Sequence, residues 1–210
     1  MLTIQKARKS YTHDLVLDIP SFYLEKGVYW LQGINGSGKT SLLRMIAGLS
    51  PFKGDILLNN ISLHKSPLAY RRQVSWADAE PLYPHFITGE EMLTFYRDIR
   101  KASAMQVDQL TGFFGVRPYL SQPIGSYSSG MVKRLSLLLA FIGAPSLILL
   151  DEPLATLDAE AAQALPDIIR EYRNDKGTSF IFSSHQPITA GELTIDNKLI
   201  IANRVIQFVQ

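Results

Sequence analysis

The nine residues Gly33–Ser41, Gly-Ile-Asn-Gly-Ser-Gly-Lys-Thr-Ser, constrain this chain more than any other stretch. They match the pattern G-x-x-x-x-G-K-[ST]. They follow an apolar run, Gly27–Gly33, that reads as a buried strand, and they open a helical pattern over Thr40–Gly48. A strand that ends in a glycine-rich turn and passes into a helix forms an anion cradle. Gly33, Gly36 and Gly38 let the backbone turn tightly and point its N–H groups inward, and the helix start adds the positive end of its dipole. Lys39 is then placed to reach the β- and γ-phosphates of a nucleotide, and the Thr40 hydroxyl to ligate Mg²⁺. The nucleotide-binding candidates here are Gly33, Asn35, Gly36, Ser37, Gly38, Lys39, Thr40 and Ser41.

A second apolar strand, Leu147–Leu150, runs into Asp151-Glu152-Pro153. An aspartate at the strand tip can hold Mg²⁺ from the side opposite Thr40, and Glu152 is placed to orient or deprotonate an attacking water. A third strand, Ser179–Ser183, ends in Ser-Ser-His. Parallel strands gather their C-terminal ends at one crevice, which brings His185 within reach of a γ-phosphate. The other histidines, His13, His64 and His85, have no such setting.

Short strands are expected at Leu2–Ile4, Leu15–Ile19 and Gln73–Ala77. A hairpin with an Asn-Asn turn is expected over Lys53–Leu63, and a terminal hairpin over Lys198–Val209. Helices are expected at Glu90–Arg100, Val107–Phe114 and Ala159–Arg173, with another after Gly130. The layout is α/β at both ends, with a mainly helical block over about Pro84–Leu139. A chain of 210 residues that is 46% hydrophobic can bury one substantial core. The net charge of +2 comes without a lysine or arginine block, which argues against a nucleic-acid binder. There are no cysteines, so disulfides and cysteine metal sites are excluded. No segment approaches the ~20 apolar residues of a membrane span, and the start lacks the apolar centre of a signal peptide.

With these motifs in this order, the chain resembles the ATP-binding subunit of an ABC (ATP-binding-cassette) transporter over nearly its whole length. The residues that carry the resemblance are the P-loop Gly33–Ser41, the segment Ser128–Met131, Leu149–Pro153, Ala155–Asp158 and His185. The resemblance implies a P-loop NTPase fold with a RecA-like core, a small antiparallel β-lobe and a helical lobe of about residues 84–139, all in one ATP-binding domain. It implies ATP and Mg²⁺ as cofactors, with Thr40 and Asp151 as metal ligands and Glu152 and His185 as catalytic residues. It implies a head-to-tail pair of two such chains, most simply a homodimer, with each ATP touching one chain's P-loop and the other's Ser128 and Gly130. Tyr11 falls where the family stacks an aromatic on adenine, and Asp158 where an aspartate communicates across the pair. The membrane partners implied are separate permease subunits, with this chain peripheral on the cytoplasmic face.

Two departures stand out. The family motif L-S-G-G-Q reads Tyr127-Ser128-Ser129-Gly130-Met131, which keeps a hydroxyl and a glycine at a helix start but crowds the approach with Ser129. Where the family has a glutamine near the metal and water, this chain has Ala79, with Asp78 and Glu80 beside it as possible substitutes. Trp76, Leu82, Tyr83 and Phe86 are either contacts for a membrane partner or core residues of the helical lobe. The alternative function is a soluble cassette ATPase in a cytosolic assembly such as iron–sulfur cluster biogenesis. A third is a regulatory ATP binder without turnover, which the joint presence of Glu152 and His185 disfavours.

Overall fold

The computed structural model describes residues 1–185 and 193–209. Its centre is a six-stranded sheet in which three inner strands are buried at nearly every position: β3 (Val28–Gln32), β7 (Leu147–Asp151) and β8 (Ser179–Ser183). A strand reads this way when both of its faces are covered. Val28, Trp30, Ile148, Leu150, Phe180 and Phe182 point into one core, and Tyr29, Leu31, Leu147, Leu149 and Ile181 into the other. The order is β10-β9-β3-β8-β7-β6, where β6 is Val74–Ala77, β9 Asn197–Ala202 and β10 Val205–Phe208. All neighbours run parallel except the β9–β10 pair. Against one face pack α1 (Lys39–Ile46) and a second sheet. Against the other pack α5 (Ser129–Phe141) and α6 (Ala159–Lys176).

The second sheet is antiparallel, in the order β2-β1-β4-β5. Its leading strands, β1 (Leu2–Tyr11) and β2 (Asp14–Leu24), are longer than the short apolar runs that mark them in the sequence. The extensions through Lys6–Tyr11 carry few buried side chains, so their pairing rests on the ladder and leaves little hydrophobic trace. The expected Asn-Asn hairpin joins β4 (Lys53–Leu58) to β5 (Ile61–Ser62), with Asn59 and Asn60 both at positive φ. The C-terminal hairpin turns in the same way at Asn203-Arg204.

The middle of the chain holds α3 (Gly89–Arg100) and α4 (Ala104–Phe113), which pack on one another and on α5. Thr88 and Glu91 form a capping box that starts α3, and Ser103 caps α4, which begins at Ala104, three residues before the expected start. The sequence reading also missed α2 (Pro67–Gln73), a single short helix whose one buried side chain is Tyr70. With so little apolar periodicity, only the proline at its first turn marks it. Consequently the next strand begins at Val74 rather than Gln73.

Trp76, Leu82, Tyr83 and Phe86 divide two and two. Leu82 is 92% and Phe86 83% exposed, whereas Trp76 and Tyr83 are half-buried against the cores. Among the described residues no helix is long and apolar enough to cross a membrane.

Candidate nucleotide site

The sheet topology brings the three strand ends of interest together. β8 lies between β3 and β7, and Ser183 is in register with both Leu31 and Asp151. The loop after β3 leads into α1, the loop after β7 carries Asp151 and Glu152, and the end of β8 leads to His185. Between them is a cleft of about 420 Å³ lined by Tyr11, Val16, Asn35, Gly36, Gly38, Lys39, Thr40, Ser41, Asp151, Glu152 and His185. Gly33 and Ser37 shape the loop from outside this lining. A Cβ at Gly33 would stand 2.5 Å from Ser37 Oγ, and Gly38 adopts φ 104°, so neither position accepts a side chain without strain.

Lys39 is buried by its own loop. Its ammonium donates to the Gly33 carbonyl at 2.8 Å and to the Ile34 carbonyl at 3.3 Å. The N-cap of α1 is Gly38, and no side chain caps the helix. The positive end of α1 therefore faces the cleft without a competing local acceptor.

The acidic side of the cleft is held by Ser183. Its hydroxyl donates to Asp151 Oδ1 and accepts from the Glu152 backbone N–H at 3.0 Å, fixing both carboxylate-bearing residues. Glu152 sits at φ 43°, a left-handed conformation that turns the chain sharply at the strand tip. Among the described residues, five buried side-chain polar atoms lack a hydrogen-bond partner, and three of them are Ser37 Oγ, Asp151 Oδ2 and Glu152 Oε1. Unsatisfied buried oxygens are costly unless something binds them. Asp151, with Oδ2 unpartnered, and Thr40 line the same cleft and offer the hard oxygen donors that Mg²⁺ takes, so the residues present fit that ion.

His185 Nε2 lies 3.3 Å from Glu152 Oε1, close enough to pair with it when protonated but not aligned as a hydrogen bond. The backbone at Ser184, just before it, is anchored by the Trp30 indole, which donates to the Ser184 carbonyl at 3.0 Å. Tyr11 is 47% exposed at the rim. Its hydroxyl lies 3.2 Å from Ser41 Oγ, and the Lys9 ammonium sits 4.3 Å from its ring centre. The hydrogen bond with Ser41 is the main cause holding the Tyr11 phenol below its usual pKa.

Ser128 and Gly130 do not line this cleft. They begin α5, where Ser128 Oγ accepts the Met131 N–H at 3.3 Å. A Cβ on Gly130 would stand 3.1 Å from the Thr156 carbonyl, in the loop that follows Glu152. That loop is tied to α5 by an ion pair between Arg134 and Asp158, and Asp158 also caps α6. The Tyr127 hydroxyl donates to the Tyr119 carbonyl at 2.7 Å, docking the turn before α5.

Several residues here escaped the sequence reading. Val16 lines the cleft opposite Gly38, and nothing in its surroundings marks it. Ser183 was visible only as a small polar residue at a strand end. Asp78, beside Ala79, points its carboxylate at Arg44 of α1, 2.9 Å away, and does not line the cleft. Glu80 does not line it either.

A family model described as "ABC transporter" matches residues 17–155. The Bacillus subtilis (strain 168) "Uncharacterized ABC transporter ATP-binding protein YxlF" is 34% identical over 191 residues, covering 88% of this chain; the match spans only 62% of that longer protein. The Legionella pneumophila (strain Lens) "Cytochrome c biogenesis ATP-binding export protein CcmA" is 32% identical over 191 residues, 90% of this chain and 94% of that one. The solved "Structure of ATP binding subunit of ABC transporter" superposes with a TM-score of 0.87 at 27% identity, over 98% of this chain and 88% of that one. The dimeric, ADP- and Pi-bound ATP-binding cassette MJ0796 shares the fold, with a TM-score of 0.84 at 15% identity over 99% of this chain and 97% of that one.

Proposed function

The chain belongs to the ABC transporter family of ATP-binding proteins, and on that premise we propose that it binds and hydrolyses ATP to energise a membrane transporter. One observation carries this: Lys39, Thr40, Asp151, Glu152 and His185, from three separate stretches of chain, converge on one cleft with unsatisfied buried carboxylate oxygens. Transporter subunits among the relatives favour this over a role in a cytosolic assembly.

The roles follow from position. The P-loop backbone and the start of α1 receive the phosphates, with Lys39 turning its ammonium from the loop carbonyls to the β- and γ-oxygens. Thr40 and Asp151 would hold Mg²⁺, which neutralises charge on those oxygens. Glu152 orients the attacking water and takes its proton, while His185 steadies Glu152 and the γ-phosphate. Tyr11 stacks on the adenine ring. Ser128 and Gly130 face the γ-phosphate of a second copy, so the functional unit is a pair. The chain acts as one ATP-binding domain, with the helical lobe of about residues 84–139 inserted in the core. It sits peripherally on the cytoplasmic face against separate permease subunits, and exposed Leu82 and Phe86 are the apolar contacts offered to them.

The test is steady-state ATPase activity of the purified chain with Mg²⁺, joined to affinity purification from native membranes. Mg²⁺-dependent turnover and co-purifying integral membrane subunits are expected. A chain that binds ATP without turning it over, or that brings down only soluble partners, overturns the proposal.

A further inference from the structure

Lys133 is a fully buried cation that the chemistry of the cleft leaves unused. Its ammonium donates to three backbone carbonyls: Asp78 at 2.8 Å, Asp151 at 2.9 Å and Ala79 at 3.3 Å. An ammonium has three protons to give, and here each has an acceptor, none of them a carboxylate. The group therefore joins backbone to backbone. Two acceptors belong to the loop just after β6 and one to the last residue of β7, while the donor belongs to α5. Asp78 extends the same connection, because its carboxylate pairs with Arg44 of α1 at 2.9 Å.

Position on the helix gives this brace a consequence. Lys133 lies five residues after Ser128, roughly 7–8 Å along the axis at 1.5 Å per residue. One end of that rigid length carries Ser128 and Gly130, and the other is bonded to the carbonyl of the cleft's own Asp151. At position 79 alanine offers no side chain that could tie this loop to the cleft, so the loop backbone is held from the α5 side instead.

We propose that Lys133 is a positioning residue that fixes the spacing between a chain's own phosphate-and-metal cleft and the Ser128–Gly130 segment it presents to a second copy. This rests on the paired reading given above. In a symmetric pair each chain serves two nucleotides at once, one with each end of this length. A spacing error of ~1 Å would misplace the contacts at both, which is enough to slow a reaction ~100-fold without weakening ground-state binding.

The experiment compares full-length Lys133→Met, which keeps the stem and loses the donors, with Lys133→Arg, which keeps them. Turnover by Lys133→Met should fall about tenfold or more, with KM and the affinity for a fluorescent ATP analogue within about threefold, and Lys133→Arg should recover most of it. The chain has no cysteine, so spin labels can be placed through Gln109→Cys and Lys65→Cys, both exposed. The label distance should be narrow in the parent and in Lys133→Arg, and broadened or displaced in Lys133→Met. Unchanged turnover and distance in Lys133→Met overturn the proposal, as does a Lys133→Arg protein no better than Lys133→Met. If Lys133→Met does not fold, Lys133→Gln takes its place. If that variant and Lys133→Arg also fail to fold, Lys133 is merely part of the core and the proposal is wrong. A parent chain without ATPase activity would overturn the proposed function, while the label distances would still decide the brace.

Discussion

The molecule contains two helix starts that face an anion in the proposed account, and they are built differently. The start of α1 is capped by Gly38 with no side-chain bond, lies at the meeting of three strand ends, and has Lys39 in its first turn. The start of α5 is capped by its own Ser128, with Met131 completing the cap, and has no cation in its first turn. Helix N–H groups that already have a local acceptor offer less to a ligand. The first start leaves its N–H groups without a side-chain cap, and the second has its own cap in Ser128, so in the proposed account the first forms a site within its own chain and the second adds to a site formed elsewhere. The P-loop pattern is intact, with Gly33, Gly36 and Gly38 all at positive φ, whereas the α5 start keeps only Ser128 and Gly130 of its family motif.

If the two starts differ in this way, variants should separate them, and the effects should decrease in a set order. Glu152→Gln keeps the shape of the cleft but removes the base, so turnover should fall about 10³-fold in an ATPase assay while ATP affinity stays within a few-fold. Lys39→Ala should weaken ATP binding about 100-fold by titration calorimetry, because it removes charge-assisted bonds in a largely enclosed loop. Gly130→Asp puts a like charge where the second copy's phosphate would arrive. It should lower turnover about tenfold or more and leave binding to the single chain unchanged. An equal loss of binding would show that the α5 start belongs to the cleft of its own chain after all. Tyr11→Ala should cost about three- to tenfold in ATP affinity and little in affinity for inorganic triphosphate, since the ring meets only the base. The smallest effect expected is from Ala79→Gln, an increase in turnover of about twofold as a polar side chain joins the water site. An unchanged or lower rate would count against a role for position 79 at the water site.

What could be read from the sequence followed from how local each device is. The P-loop is contiguous, its glycines need specific backbone angles, and its strand and helix lie on either side, so pattern and position agree. Asp151, Glu152 and His185 stand at or just beyond the ends of strands whose apolar centres, Leu147–Leu150 and Phe180–Phe182, mark them as central, and parallel pairing then brings those ends together. The outer part of β1 was less visible because Lys6–Tyr11 buries only Ala7 and Lys9, and α2 because it buries a single tyrosine. Lys133 and Arg134 look like ordinary charged residues of a helix in the sequence. Their positions one apart send one into the core, to three carbonyls, and the other to Asp158 and the Phe114 carbonyl. Such roles depend on segments 50 or more residues away in the chain for Asp78 and 24 away for Asp158, and no local pattern encodes them.

The central claim is that one ATP site is completed by two chains. Sedimentation velocity of Glu152→Gln with saturating ATP and Mg²⁺, with and without Gly130→Asp in the same chain, tests it most directly. The account predicts a stable dimer for Glu152→Gln and a monomer for the double variant, both with ATP bound. A Glu152→Gln chain that stays monomeric with ATP bound would contradict it, as would a dimer indifferent to Gly130→Asp.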